Sequence, residues 1–377
     1  MKSYHPNKIL ILSNEFPPGP GGIGNHAWNL SRSLNKKIAV DVLTVSDYSD
    51  AQSCLLFDRK EKINITRFKR YSFSLFTFIH RIILTIKLIK KNNYTHCILT
   101  GYFSLITCSL IQIINKRINK IGILHGSELI QPKLLRRFLL INALKNLNVI
   151  IAVSQYTDGL LPINILRDQK KYIISNGVNT DLLKFQFSSK SKIKLLGSPC
   201  LVTVGSITER KGQINLIRAL PEIKKKFPNV HYHCIGLAIE IKDFIDEVEK
   251  QNMNASVTIH GMIPNNQLSN IYKQSDILIM LSQNKIKSCV EGFGIAILEA
   301  NLFGVPALGS KNTGIEDAIV NKKTGLLIDP YSIEEIVEGI EHLFQNKNKY
   351  SQDVRTWALD HNWSNISDKY LKVIMDA

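Results

Sequence analysis

The chain alternates strand-like apolar runs with helix-like segments, and this alternation occurs twice. The first set of runs starts with "KILILS" (8–13) and continues at 39–45, 96–101, 121–126 and 149–154. The second set starts with "CLVTVGS" (200–206) and continues at 230–236, 257–261, 276–281, 305–310 and 325–329. Such alternation is typical of parallel sheets with crossover helices. The sequence therefore predicts an α/β protein of two doubly wound domains that face each other across a cleft.

The length of 377 residues and the 44% hydrophobic content allow two domains with cores of their own. A Ser- and Lys-rich segment, "KFQFSSKSKIKLLGSP" (184–199), separates the two sets of runs. We therefore predict a first domain at 1–185 and a second at 186–360. The helix at 361–377 is expected to pack back on the first domain.

The positive charge is concentrated in the first half of the chain. Residues 1–187 carry 26 Lys and Arg against 10 Asp and Glu, whereas residues 188–377 carry 22 against 21. Such asymmetry favours an anionic partner, namely nucleic acid, a membrane surface or a phosphorylated substrate. A basic surface that only keeps the protein soluble is the alternative.

The six cysteines are scattered and form no C-x-x-C pair or His/Cys cluster at ligand spacing. This pattern indicates reduced thiols in a cytosolic compartment and no structural zinc site. No secretory signal is visible, and no apolar stretch reaches the length of a membrane-spanning helix.

Two carboxylates flank an apolar stretch in "CVEGFGIAILEANLFGVP" (289–306). The run from Ile295 to Phe303 predicts a short buried helix, which Gly304 and Pro306 end. Glu299 lies inside this helix and needs a polar partner, because an unpaired buried carboxylate is costly. Glu291 precedes it in a glycine turn, where backbone N–H groups and the helix dipole favour anions. A salt bridge to a basic side chain is the alternative to a ligand for these carboxylates.

A cation pair follows a predicted strand in "VGSITERKGQINLIRAL" (204–220). The strand ends at Gly205, and the loop holds Arg210 and Lys211 before a helix begins. Arg supplies a planar fork for two phosphate oxygens, and Lys supplies a mobile point charge. The pair suits a diphosphate, although two exposed cations in a loop are often merely solvated.

The loop "GPGGIG" (19–24) matches the G-x-G-x-x-G pattern of dinucleotide-binding proteins. However, "NEFPPG" separates it from the preceding strand, so the match is weak support for an NAD-dependent oxidoreductase. Gly22 and Gly24 still form a close-approach loop before a helix, which suits a phosphate or a sugar. His125, in "LHGSE" (124–128), ends another apolar strand and is expected to face the cleft.

These segments together resemble the retaining glycosyltransferases of family 4, also called glycosyl transferases group 1, which have the GT-B fold. The matching pieces run in order along the chain as "FPPGPGGIGNHAWNL", "HGSE", "SNGVNTDLL", "VGSITERKGQINLIRAL", "EGFGIAILEANLFGVP" and "TGIEDAIVNKKTGLLIDP". The E-x7-E spacing of Glu291 and Glu299 is the most specific of them, and the Arg210–Lys211 pair is the second.

The resemblance implies a role for each matching residue. Catalytic roles fall to His125 near the donor sugar, Glu291 on the sugar hydroxyls, and Arg210 and Lys211 on the donor diphosphate. Glu299 would accept hydrogen bonds from the ribose hydroxyls. Further donor contacts are implied for Gly22, Gly24, Gly205, Gly261, Ile263, Gly292, Phe293, Gly294 and Ile295. The segment "NTG" (312–314) departs from the paired glycines that many relatives have at this place.

The resemblance also implies a chemistry. Negative charge grows on the leaving diphosphate, and Arg210, Lys211 and the helix N-terminus near Ile295 are placed to stabilise it. No metal or other cofactor is expected, and no D-x-D-like motif is present. Retaining relatives are thought to react on the front face, where the leaving phosphate helps to deprotonate the acceptor, so no dedicated base is assigned.

The basic first half contains apolar stretches studded with Lys and Arg at 70–91 and 133–147. Such stretches can lie on an anionic membrane, or they can be ordinary helices packed on a sheet. Family members often receive a lipid-linked acceptor in this half. We therefore expect a cytoplasmic enzyme, peripheral on the inner face of the cytoplasmic membrane, that acts in surface polysaccharide synthesis. Nucleic-acid binding is the non-enzymatic alternative, but no nucleic-acid-binding signature is recognisable.

Overall fold

A computed structural model describes residues 8–46, 50–130, 133–162, 164, 166, 169–187, 193–283 and 290–376. The chain forms two compact units. The first comprises residues 1–176 and 363–377, and the second comprises residues 177–362. The division lies before the predicted boundary at 185, and the predicted junction at 184–199 lies partly outside the described residues.

The first unit is built on a parallel sheet with strand order β3-β2-β1-β4-β5-β6-β7. Its strands are β1 (Ile9–Ser13), β2 (Val40–Ser46), β3 (Asn64–Lys69), β4 (His96–Thr100), β5 (Asn119–Leu124), β6 (Val149–Ala152) and β7 (Lys170–Ile173). All residues of β1, β4 and β6 are buried. Burial on both faces explains why these strands read as continuous apolar runs.

Sequence reasoning missed two of these strands, β3 and β7. Both lie at the edges of the sheet. The sequence of β3 is "NITRFK", and only Phe68 in it is buried. That of β7 is "KKYI", and none of its residues is buried. An edge strand is only partly covered and can form without a continuous apolar run, as these two strands do.

Helices of the first unit cover this sheet. They are α1 (Gly22–Leu34), α2 (Ala51–Asp58), α3 (Ser74–Lys91), α4 (Tyr102–Leu105), α5 (Cys108–Ile114), α6 (Leu134–Lys145), α7 (Gln155–Gly159) and the C-terminal α13 (Trp363–Met375). Helix α13 packs on α1, where Ser33 Oγ donates to the Trp363 carbonyl at 2.9 Å and lies 2.8 Å from Ser367 Oγ.

The second unit repeats the architecture with strand order β10-β9-β8-β11-β12-β13, again all parallel. Its strands are β8 (Cys200–Val204), β9 (His231–Ile235), β10 (Val257–Gly261), β11 (Ile277–Met280), β12 (Ala307–Ser310) and β13 (Gly325–Ile328). Its helices are α8 (Gln213–Lys226), α9 (Ile241–Lys250), α10 (Asn265–Gln274), α11 (Ile295–Leu302) and α12 (Ile333–Asp360). Every apolar run that the sequence assigned to a strand forms one, which confirms the two-domain α/β prediction.

Candidate active site

Each sheet has one point where the strand order reverses. In the first unit this switch point lies between β1 and β4, and in the second it lies between β8 and β11. Loops leave the carboxyl ends of the two strands in opposite directions there, which opens a crevice that binds ligands in doubly wound sheets. The two switch points are therefore where functional side chains are expected to gather.

The predicted cation pair lies at the switch point of the second unit. Arg210 and Lys211 belong to a short 3-10 turn after β8. The turn ends at Gly212, whose φ of 70° is left-handed and whose added Cβ would lie 1.7 Å from the Leu281 carbonyl oxygen. The N–H of Gln283 donates to the Arg210 carbonyl at 2.8 Å. The loop after β8 is thus held against the end of β11, and only glycine fits at that contact.

Glu291 lies between these two cations. Its Oε2 accepts hydrogen bonds from Arg210 Nη1 at 2.7 Å and from Lys211 Nζ at 2.6 Å. Burial raises the pKa of the Glu291 carboxyl, but Lys211 and Arg210 outweigh burial and hold that pKa at about 2. The structure therefore contains the salt bridge that the sequence left open as an alternative. The predicted contact of Glu291 with sugar hydroxyls stays a prediction.

The helix after Glu291 forms nearly as predicted, as α11. Gly294 is its N-terminal cap with a φ of 91°, and Ile295 is its first residue. The Phe293 side chain is buried, so only its backbone can meet a ligand. The Gly314 N–H donates to the Glu291 carbonyl at 3.0 Å, and an added Cβ on Gly314 would lie 2.2 Å from the Gly292 oxygen. This close contact fixes the glycine turn that precedes the helix.

Glu299 has the polar partner that its burial requires. The Tyr272 hydroxyl, on α10, donates to Glu299 Oε2 at 2.7 Å. Burial raises the pKa of Glu299, and the hydrogen bond from Tyr272 partly opposes that rise. Sequence reasoning missed Tyr272, because a contact between two helices leaves no local pattern. The ribose-binding role of Glu299 stays a prediction.

Gly205, Gly261 and Ile263 follow neighbouring parts of the second sheet. The backbone of Gly205 lies against Lys211, whose Cε would be 3.4 Å from an added Cβ. Gly261 ends β10 and has open space where a Cβ would be, and Ile263 is half-buried beyond it. The structure brings Gly205 to the cation pair, whereas Gly261 and Ile263 lie at the edge strand of the sheet.

His125 lies in the first unit, just after β5. Its Nε2 shares a hydrogen bond of 2.9 Å with Thr100 Oγ1, and its backbone N–H donates to Glu128 Oε1 at 3.0 Å. Burial lowers the pKa of His125 to about 4, and burial raises that of Glu128 to about 7. The imidazole is therefore neutral at physiological pH and can act there as a hydrogen-bonding group.

The predicted glycine loop leads into α1, and the two glycines implicated in donor contacts, Gly22 and Gly24, have different surroundings. An added Cβ on Gly24 would lie 2.9 Å from the Phe16 backbone nitrogen, so Gly24 has a packing reason of its own. An added Cβ on Gly22 would meet nothing within 4 Å. Of the two, Gly22 is the one with room for a ligand.

No group of three His, Cys, Asp or Glu side chains in the described part of the chain could hold a metal ion.

Two family models match the chain in series. "Glycosyltransferase Family 4" matches residues 20–182, and "Glycosyl transferases group 1" matches residues 185–357. A GDP-mannose-dependent alpha-(1-6)-phosphatidylinositol monomannoside mannosyltransferase of Mycolicibacterium smegmatis is 25% identical over 57% of this chain and 58% of its own length. The chain thus spans somewhat more than half of that relative. An uncharacterized glycosyltransferase of Methanocaldococcus jannaschii is 22% identical over 97% of both chains.

Solved structures share the fold. Anabaena HepE in complex with UDP and glucose superposes with a TM-score of 0.79 at 16% identity, over 99% of this chain and all of that one. Sucrose-phosphate synthase from Thermosynechococcus elongatus also reaches a TM-score of 0.79 at 16% identity, over 98% of both chains.

Proposed function

Because the chain belongs to the glycosyltransferases of group 1 and family 4, with the GT-B fold, we propose that it transfers a sugar, with retention, from a nucleoside-diphosphate sugar to a glycan acceptor. The donor is UDP- or GDP-linked. The acceptor is a lipid-linked glycan of a bacterial surface polysaccharide, such as a capsule, an exopolysaccharide or the O-antigen of lipopolysaccharide.

One observation carries the proposal. Arg210 and Lys211 meet Glu291 at the switch point of the second sheet, next to the glycine turn that opens α11. When a diphosphate binds, its oxygens would replace the Glu291 carboxylate on both cations. The two cations and the N–H groups at the start of α11 would then stabilise the charge that develops as the sugar bond breaks. Glu291, released from the cations, would accept from the sugar hydroxyls.

Several relatives and solved structures support this choice of substrates. The Mycolicibacterium relative is named as GDP-mannose-dependent, the HepE structures hold UDP or UDP-glucose, and a Staphylococcus aureus relative is a capsular polysaccharide biosynthesis glycosyltransferase. We propose that no metal is needed, since Arg210 and Lys211 supply the positive charge. Turnover that persists in EDTA would support this, and loss that Mg²⁺ or Mn²⁺ restores would contradict it.

The test of the donor is a screen of UDP- and GDP-sugars. Purified protein is incubated with each, and release of the nucleoside diphosphate is measured with and without acceptor. We expect one donor to be hydrolysed slowly by water and to stabilise the protein thermally. NAD(H) in the same panel addresses the oxidoreductase alternative. Stabilisation by NAD(H) alone, without turnover of any sugar nucleotide, would overturn the proposal.

Two helices of the first unit support the proposal of a lipid-linked acceptor. Large apolar side chains are exposed near the start of α3 (Phe73, Leu75, Phe76 and Ile79) and of α6 (Leu134, Leu135 and Phe138). From 62 to 157 the sequence has 15 Lys and Arg but a single acidic residue, the buried Glu128. Apolar side chains amid basic ones suit the headgroup region of an anionic membrane. None of the helices in the described ranges has the length and apolarity to span a bilayer.

We propose that these helices bind the inner face of the cytoplasmic membrane, and liposome flotation tests this binding. We expect binding to anionic vesicles at low salt, weaker binding to neutral vesicles, and loss of binding in the combined variant Phe76→Ser and Leu135→Ser. Ile245→Ser, which replaces an exposed apolar residue of the second unit, serves as the control. Equal flotation of both variants would argue against these helices, and a salt-sensitive shift of DNA or RNA without sugar-nucleotide turnover would favour the nucleic-acid alternative.

A further inference from the structure

The switch point of the first unit contains a buried arginine. Arg81, on α3, is only 4% exposed. Its Nη1 donates to Asn14 Oδ1 at 2.8 Å and to Ser104 Oγ at 2.6 Å. No carboxylate among the described residues pairs with Arg81, and its Nε is buried without a hydrogen-bond partner. Burial lowers the pKa of Arg81 to about 9, which leaves it charged at neutral pH.

A buried cation without a carboxylate is unusual, since desolvation of an ion costs several kcal/mol. Here aromatic rings and neutral oxygens replace the carboxylate. The guanidinium carbon lies 5.0 Å from the Phe68 ring centroid and 6.0 Å from that of Phe103. The hydrogen bonds of Arg81 thus direct its charge at Asn14 and Ser104.

The effect on Asn14 follows from the hydrogen bonds. Asn14 directly follows β1, and its Oδ1 accepts from Arg81 Nη1, from the Ser104 N–H and from Ser104 Oγ, the last two at 2.9 Å each. Three donors, one of them charged, exclude the flipped amide, because the Nδ2 group would then face them. Gly101, with a φ of 80°, leaves room for this arrangement, since an added Cβ would lie 2.8 Å from Asn14 Cβ and Cγ.

The Nδ2 group of Asn14 is consequently fixed in orientation. Asn14 is partly exposed, and within the described residues Nδ2 has no hydrogen-bond partner. It lies at the crevice between β1 and β4, where ligands of doubly wound sheets bind. A fixed N–H donor at this place recognises oxygen atoms such as the hydroxyl and ring oxygens of a sugar.

We propose that Asn14 binds the acceptor glycan through Nδ2 and that Arg81 is the positioning residue that fixes the Asn14 amide. The inference rests on the proposed function for the identity of the ligand. It adds to that function a specific acceptor contact in the first unit, on a residue pair that the sequence motifs do not contain.

Steady-state kinetics test the proposal, with the donor from the screen and a panel of p-nitrophenyl hexosides as acceptors. We expect Asn14→Ala and Arg81→Met to raise the acceptor KM about tenfold, the effect of losing one oriented hydrogen bond, while the donor KM stays within about twofold. Arg81→Lys should recover part of the loss, because an ammonium can still donate to Oδ1. Arg32→Met is the matched control, since Arg32 is a partly exposed cation on α1 outside this network.

Side-chain amide NMR makes the test independent of turnover. The Asn14 Nδ2 resonances should shift on titration with a hexoside in the wild type and not in Arg81→Met. If no sugar nucleotide is turned over but the shift persists, the proposed function fails and the glycan contact stands. If no hexoside shifts Asn14, or if Asn14→Ala leaves every acceptor KM unchanged while Arg81→Met only lowers the Tm, Arg81 is a structural tie and the proposal is wrong.

Discussion

Each switch point has a cation at the carboxyl edge of its sheet, but the cations of the two units have different partners. In the second unit, Arg210 and Lys211 share the Glu291 carboxylate, which cancels one of their two positive charges. In the first unit, the buried Arg81 contacts only neutral oxygens and aromatic rings. The first arrangement can exchange one anion for another. Arg81 has no carboxylate to exchange, and its hydrogen bond instead orients the Asn14 amide.

The difference indicates two kinds of recognition. A diphosphate is fully charged. A cation pair that already binds a carboxylate suits it, because phosphate oxygens can replace the carboxylate without leaving the buried cations unpaired. A glycan carries hydroxyl and ether oxygens, and a fixed neutral donor suits those. The following variants test the contrast, beginning with the largest expected effect.

Loss of either a cation or the second carboxylate in the second unit should have the largest effect. Arg210→Ala and Glu299→Ala are each expected to lower turnover by about 10²-fold or more, the scale of removing one preorganised group from a charged transition state. Nucleoside-diphosphate release measures it. Lys225→Ala, which removes an exposed cation paired with Glu222, is the control. Near-normal rates in both test variants would refute the assignment of the site.

Acid should weaken the first unit through His125. Its folded-state pKa of about 4 lies below the ordinary value of 6.5, so the unfolded chain takes up a proton first as the pH falls from 6.5 towards 4. The His125 contribution alone should lower stability at pH 5 relative to pH 7 by about 2 kcal/mol, whereas Glu128, whose pKa burial raises to about 7, acts in the opposite direction over the same range. Glu291, with a pKa of about 2, does not contribute in this range, because its stabilisation is lost only as the pH falls below about 4.5.

Hydrogen exchange of the amides of β4 and β5 at pH 7 and pH 5 measures the net change, and the difference between wild type and His125→Gln isolates the His125 contribution. The variant keeps a polar partner for Thr100 without a titrating ring, so it should lose about 2 kcal/mol less stability than the wild type over this range. An unchanged pH dependence in that variant would show that His125 is not the group responsible.

Glu291→Gln should separate binding from turnover. Without the carboxylate, the two cations no longer have to exchange an internal partner, so UDP or GDP should bind about tenfold more tightly, or about 1.4 kcal/mol. Transfer should nevertheless fall, because the amide cannot replace a carboxylate on the sugar hydroxyls. Calorimetry and rate measurements on the same preparation check both parts. Weaker nucleotide binding would contradict the exchange of Glu291 for phosphate.

Much of the second unit's site was predictable from the sequence. The stop signals at Gly304 and Pro306 and the apolar run before them predict α11, which the structure has at Ile295–Leu302. The position of Arg210 and Lys211 after an apolar strand predicts their place at the sheet edge. These signals are local, since a helix, its end and a strand–loop junction are each written in consecutive residues.

The sequence by itself determined the double α/β alternation, the buried central strands and the loops that carry the charged residues, because burial on both faces of a sheet imposes continuous apolar runs. Only the tertiary structure decided that β3 and β7 extend the first sheet, that Tyr272 satisfies Glu299, and that Arg81 orients Asn14. An edge strand can form with little apolar surface, as β3 and β7 do, and it then has no apolar run in the sequence. Contacts between side chains far apart in the chain depend on how helices cross the sheet, so no local sequence pattern predicts them.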